Sequence, residues 1–367
     1  MATTRAKARW PWLVVAALLL VLGAWLMLGA EPPPRPPPPD IRLPWKMSDA
    51  ERLRGEARQT WVPLAPVDAG ERLEPPSRPR DPLMAMMPPT VKRGAVVAEV
   101  SAIFHSELGG LMMDCLFEGD PRGLAMLRDG GLDPATKVDR VALIDDALVV
   151  TGDFRGAAFE RFLPSDTTRR GYGQRGQLLE WHRPDGGAQL MGLWDSQLLV
   201  MGDDEAQTKA LLDRLESSGP RPAGALSEAD AWGEVYGAIT SDAVAELFEA
   251  DNPGLADTLR QSASGMTLHL DVSHDVGLVG DVTLEDPTKG DELRRALGSA
   301  LSLARMEAEA RGRTREAELL DLARVEAVEE GAFRLHAGLP HDYLKASLER
   351  CVERQRSRRL QRERDGG

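Results

Sequence analysis

The sequence predicts an α+β fold. Two related hairpin-plus-helix modules of ferredoxin-like kind would follow an N-terminal transmembrane helix and a proline-rich linker. Three observations carry this expectation. A unit of strand, tight turn, strand and helix recurs four times after residue 93. Sixteen of the 26 prolines fall between residues 31 and 90. Residues 10–30, WPWLVVAALLLVLGAWLMLGA, hold no charge and no strongly polar side chain.

Taken in order, residues 1–9 form a short basic tail with Arg5, Lys7 and Arg9 and no acid. The apolar run 10–30 reaches about 30 Å as a helix, enough to cross a bilayer core. Cations immediately before it keep the N-terminus in the cytoplasm and send the remainder outside. Trp10, Trp12 and Trp25 suit interfacial depths. A cleaved signal peptide would need a shorter core and a small residue where Leu28 stands, so the segment reads as an uncleaved anchor. The expected location is a bacterial inner membrane, crossed once, with the C-terminal body periplasmic.

Residues 31–92 read as an extracytoplasmic linker. EPPPRPPPPD at 31–40 has too few donors for helix or sheet and favours polyproline II, a semi-rigid spacer. Trp45 and Trp61 are its candidate docking or partner residues. Module 1 is expected over 93–218 and module 2 over 230–350, with SSGPRPAGALSE at 217–228 as the seam. Residues 351–367 form a charged tail, read as a solvated helix end.

Within the modules the hairpins are VDRVALI-DD-ALVVTGDF, LLEWHR-PDGG-AQLMGLW-DS-QLLVMG, MTLHLDVS-HD-VGLVGDVTLE and ARVEAVEE-GAFRLHAGL. Their turns carry the Asp, Gly and Pro that tight loops need. Helices are expected through GAAFERFL, DEAQTKALLDRL, the long stretch after Pro287 and PHDYLKASLERC. Leu293, Ala296, Leu297, Ala300, Leu301 and Ala304 step by three and four, one apolar stripe.

The net charge of −13 is unevenly spread, leaving −21 on residues 93–349. So acidic a body repels phosphate backbones and anionic headgroups, which excludes nucleic acid as its partner.

Few motifs point to chemistry. GYGQRG at 171–176 spells the dinucleotide fingerprint, but no strand precedes it and no helix follows, so it reads as a flexible loop and no cofactor is implied. HLDVSHD at 269–275 offers His269, Asp271 and His274 as ligand types for zinc or copper. Matching apolar faces places Leu268, Leu270 and Val272 inward with Leu278, Gly280 and Val282. That register sets His269 opposite Asp281 on an outer face, a solvent-facing pair rather than a metal site. Cys115 and Cys351 are the only cysteines; outside the cytoplasm they could pair as a disulfide or stay separate thiols. No G-x-S-x-G, H-E-x-x-H or Walker A pattern occurs, so no catalytic residue is nominated.

Three Gly-Asp steps end apolar stretches. Asp204 reads as a helix N-cap with Gln207 as its box partner, and Asp153 as a similar start. Asp281 sits mid-strand, and Asp286 before Pro287 is the cap in that repeat.

The anchor, the stalk and the run VDRVALIDDALVVTGDF…LLVMGDDEAQTKALLDRL resemble bacterial single-pass envelope proteins of unknown function with duplicated α+β modules. The resemblance covers about residues 95–350 and carries over no catalytic residue. The anchor and stalk, the repeat architecture and the absence of chemical motifs point to a non-catalytic, membrane-anchored scaffold or protein-interaction module with an envelope protein as partner. The alternatives are an extracytoplasmic hydrolase, or a small-ligand or lipid-binding module, with its site between the two modules.

Overall fold

The computed structural model describes residues 47–58, 81–118, 125, 128–158, 163–182, 187–216, 224–250, 252–272, 275–329 and 332–365. The expected membrane segment 10–30, the tail 1–9, Trp45, Trp61 and most of the linker lie outside them. Among the described residues no helix is long and apolar enough to cross a membrane.

Local chemistry sets the first elements. α1 (Asp49–Ala57) begins with a capping box: the Ser48 hydroxyl accepts from the Glu51 N–H, and the Glu51 carboxylate from the Ser48 N–H. α2 (Pro82–Met86) starts on Asp81, with proline at its first position. β1 (Gly94–Ala98) leads to α3 (Val100–His105) and α4 (Glu107–Phe117), the latter capped by Ser106. α5 (Pro134–Lys137) enters the hairpin of β2 (Val138–Ile144) and β3 (Ala147–Gly152). Its turn residue Asp145 has φ +52°, and its Oδ1 accepts from the N–H groups of Lys92, Arg93 and Gly94. β4 (Thr168–Tyr172), β5 (Gly176–His182), β6 (Ala188–Trp194) and β7 (Leu198–Gly202) follow as a meander, then α6 (Glu205–Glu216).

The second half runs β8 (Val235–Thr240), α7 (Ser241–Phe248), α8 (Pro253–Ser262), β9 (Ala263–Asp271) and β10 (Val276–Leu284). It closes with α9 (Gly290–Ala310), α10 (Thr314–Leu320), β11 (Arg324–Glu329), β12 (Ala332–Leu339) and α11 (His341–Asp365).

One sheet corrects the expectation of two ferredoxin-like modules. Its twelve strands run β11-β12-β10-β9-β8-β1-β2-β3-β7-β6-β5-β4, each neighbouring pair antiparallel. In a ferredoxin-like plait helical crossovers join strands that are not neighbours, and each module closes its own sheet. Here the helix-joined pairs β1/β2 and β8/β9 are themselves neighbours, although α9 and α10 still carry the chain from β10 past β12 to β11, and β1 pairs with β8 from Gly94↔Ile239 to Ala98↔Val235, fusing the halves. Gly237 allows the close seam, since a Cβ there would stand 2.5 Å from the Ala95 carbonyl oxygen. Each half still keeps one order from the seam outward: β1-β2-β3-β7-β6 on one side, β8-β9-β10-β12-β11 on the other.

Both faces of the sheet are covered. On one, α7, α8 and α9 pack Val244, Leu255, Leu259, Leu293 and Leu297 on Val282 and Phe333. On the other, Leu83 and Met86 of α2 and Leu211, Leu212 and Leu215 of α6 pack on Ala95, Val97, Ala142, Ile144, Val149 and Val200. Leu83, Met86 and Met87 are fully buried, and Arg58 pairs with Glu99, so residues inside the span read as linker pack on the body.

Other expectations also change. Residues 156–158, expected to open the helix through GAAFERFL, are a turn residue and irregular chain. GYGQRG is no free loop: it ends β4 and turns into β5, and Glu216 accepts from the N–H groups of Gln174 and Arg175 and from Trp194 Nε1. Asp204 caps α6 through the N–H groups of Ala206 and Gln207, but the Gln207 side chain reaches the Ile144 carbonyl instead of closing the box.

Candidate functional site

The sequence-nominated residues divide. Cys115 of α4 and Cys351 of α11 are joined by a disulfide, Cα–Cα 5.5 Å, across 236 residues. Around it Leu108 packs with Leu344, Leu348, Val276 and Leu339. His274 lies outside the described residues. Among those described, no group of three or more His, Cys, Asp or Glu could hold a metal.

His269 is not solvent-facing. It is 2% exposed, with its ring stacked on Trp232 at 3.7 Å between centroids. It pairs with Val279 and Tyr236, while Asp281 pairs with Thr267 and accepts from Arg334. The register therefore differs by two residues from the one read off the apolar faces. Two contacts from outside the hairpin hold its observed ends: Glu234 accepts from the Val272 N–H, and Asp275 from the His341 N–H.

Burial lowers the His269 pKa, outweighing the Trp232 carbonyl and the nearby Asp281 and Asp230. His336, 4% exposed on the same face, is lowered for the same reason. Unfolding therefore takes up protons below about pH 6.5, where free imidazole titrates. Stability is expected to be complete above that pH and to fall as pH drops towards the depressed folded values. His269→Phe, which keeps a stacking ring, should flatten part of the fall between pH 7 and 5 in thermal melts. An unchanged slope would discard His269 as a contributor.

The most developed polar cluster sits where the two halves meet, under α1, and none of its residues stands out as a motif. Arg140 of β2 is 3% exposed and makes a two-pronged pair with Asp81, at 2.6 and 2.7 Å. Burial would depress its pKa, but the Asp81 carboxylate outweighs burial and holds the guanidinium above its ordinary value. Beside it Arg58, at the end of α1, holds both oxygens of the buried Glu99 at 3.0 and 2.6 Å and reaches Asp139 at 2.9 Å. The Tyr236 hydroxyl donates to Glu99 at 2.8 Å, and burial pushes its pKa up. Glu51 of α1 accepts from the Gly233 N–H. A bulge in β2 between Val138 and Arg140 lets adjacent residues serve one cluster, since bulges re-aim side chains. The sequence signal was there: Arg140 interrupts the apolar run VDRVALI at an inward position.

Two cavities adjoin this cluster and share Arg58 and Arg140. One, about 220 Å³, lies beneath α1 and reaches Tyr236 and Gly233. The other, about 610 Å³, is an open groove between the end of α1, α5 and the β2/β3 hairpin. The carboxylates that line the two cavities are largely matched by cations: in the groove Asp139 by Arg58 and Asp153 by Arg155 and Lys137, and in the smaller cavity Asp81 by Arg140 and Glu99 by Arg58. A general base needs a carboxylate or imidazole held against the proton it takes. Each of these four carboxylates is instead held by a guanidinium or an ammonium, and the imidazole in the groove lining, His105, sets Nδ1 against the Ser101 carbonyl of its own helix.

No protein-family model matches the sequence, and no curated protein does either. A solved structure titled "Structure of crystal form I of TP0453" is similar at 12% identity, over 73% of this chain and 97% of that chain, with a TM-score of 0.41. At that TM-score the likeness carries no argument about what this chain does.

Proposed function

We propose that the chain is a non-catalytic envelope protein, anchored by residues 10–30, whose extracytoplasmic body binds another envelope protein. The observation that carries the reading is the Cys115–Cys351 disulfide, because such bonds persist in oxidising compartments and are rare in reducing ones. Arg5, Lys7 and Arg9 before an uncharged 21-residue stretch support the same side of the membrane for the body. The paired charges of the central cluster support binding over catalysis.

A reporter active only outside the cytoplasm, fused after Gly367, is expected to be active. Silence of that fusion beside an active cytoplasmic reporter would overturn the topology. Crosslinking in intact cells, read by mass spectrometry, is expected to capture an envelope protein, and capture of none across several crosslinkers counts against partner binding.

A further inference from the structure

The last helix outruns what it packs on. α11 and α4 lie side by side and parallel: Lys345 meets Glu107 at the start of α4, Cys351 is bonded to Cys115, and Arg359 reaches Glu118 just past its end. α11 then continues to Asp365, about 20 Å beyond the disulfide. Arginines fill this stretch on a pattern. Arg350, Arg354 and Arg358 step by four, and the sequence repeats the step at Arg362. Residues four apart share one ridge of a helix, so they form a stripe. Arg354 and Arg358 are exposed. Arg356 and Arg359 leave from another side, towards Glu118.

The stripe is unfavourable for the helix that carries it, because like charges four apart repel. Attraction to the C-terminal helix dipole is confined to the last turn, which none of Arg350, Arg354 and Arg358 reaches. An extended negative surface alongside would convert the repulsion into attraction. The position of the arm says which surface. α1 and the root of α11 share one end of the sheet, where β1 and β12 finish and β8 and β10 begin. There Glu51 of α1 meets the Gly233 N–H, Arg58 meets Glu99, and the His341 N–H donates to Asp275. Residues 31–46 separate Met47, just before α1, from the apolar run 10–30, a tether of at most about 60 Å. The chain therefore enters from its anchor at the end of the sheet where the arginine arm is rooted. The acidic body does not cancel the arm, since charges more than about 8–10 Å apart are largely screened at physiological salt.

We propose that the arginine stripe of α11 lies on the anionic headgroups of the membrane that anchors the chain, giving the body a second point of attachment. The inference rests on the anchoring part of the reading above and adds a lipid surface as partner.

The test places the full-length chain, one copy per disc, in nanodiscs of phosphatidylcholine alone or with about a third phosphatidylglycerol. Gln361→Cys carries a fluorescent donor, attached without reductant so that the Cys115–Cys351 bond stays intact, and a headgroup-labelled lipid is the acceptor. Energy transfer is expected to rise with phosphatidylglycerol and to return to the phosphatidylcholine value in about 0.5 M salt. Arg354→Gln/Arg358→Gln should lower the ratio of docked to free arms about 25-fold, roughly fivefold per arginine. The same variant should melt no lower than the parent, since it removes a like-charge pair. Arg354→Lys/Arg358→Lys should keep docking, because headgroups need the charge rather than the guanidinium fork. Equal transfer in both lipid compositions, or equal transfer by the glutamine variant, would overturn the proposal. So would a label blind to phosphatidylglycerol that crosslinks from position 361 to an acidic protein in intact cells. Release of the chain from membranes by salt alone removes the anchor, whereas flat transfer from a chain that stays in them removes the arm alone.

Discussion

Replacing Cys351 with serine is expected to cost about 3–5 kcal/mol of unfolding free energy, read as a lower urea midpoint under non-reducing conditions. The bond closes a 236-residue stretch, which places it at the large end of chain-entropy estimates. Its local position adds to the effect. α11 meets the rest of the molecule mainly through α4, at the small cluster of Leu108, Val276, Leu339, Leu344 and Leu348. Cys115→Ser should match it, and the double variant should cost no more than either single one, since each already removes the whole bond. Reductant should lower the parent's midpoint and leave both variants unmoved. A parent insensitive to reductant would refute the crosslink.

Arg140→Met is the second large effect, expected to destabilise by about 3–5 kcal/mol, because removing one partner leaves Asp81 buried and uncompensated. The double variant Asp81→Asn/Arg140→Met should recover most of that loss. Asparagine can keep the N-cap of α2, where the Asp81 side chain accepts from the Leu83 N–H, without a stranded charge. Urea unfolding of parent, single and double variants gives the coupling directly. A single variant costing under 1 kcal/mol would mean that the pair is far more hydrated than its 3% and 8% side-chain exposures indicate.

The hairpins were the legible part of this fold. Alternation in VDRVALI and ALVVTG, with Asp145-Asp146 between them, places β2 and β3 where they lie. The apolar stripe through Leu293 and Leu297 likewise faces the core. What joins the hairpins was not legible. β1 and β8 are far apart in sequence with no turn between them, so nothing in the local pattern announces their pairing. Register at β9 and β10 is not legible for a related reason: a shift of two residues keeps every side chain on the same face, so the apolar pattern does not distinguish the two pairings. A strand pair with one clean apolar face suggests one covered face, which puts His269 on the wet side, whereas Trp232 covers it here. The central cluster was half legible. Arg140 stands out within an apolar strand, but Asp81, Glu99 and Arg58 take their roles only from tertiary position.

The β1/β8 seam has a consequence in symmetry. Each is the first strand of its half, and they run antiparallel, the relation of equivalent edges across a two-fold axis. The seam therefore has the local geometry of an isologous contact, although seven strands stand on one side of it and five on the other. Either half on its own would bare a five-residue edge, of the kind that recruits a second copy to close it. Residues 224–365 expressed alone should accordingly self-associate, with β8 meeting β8 where β1 now lies.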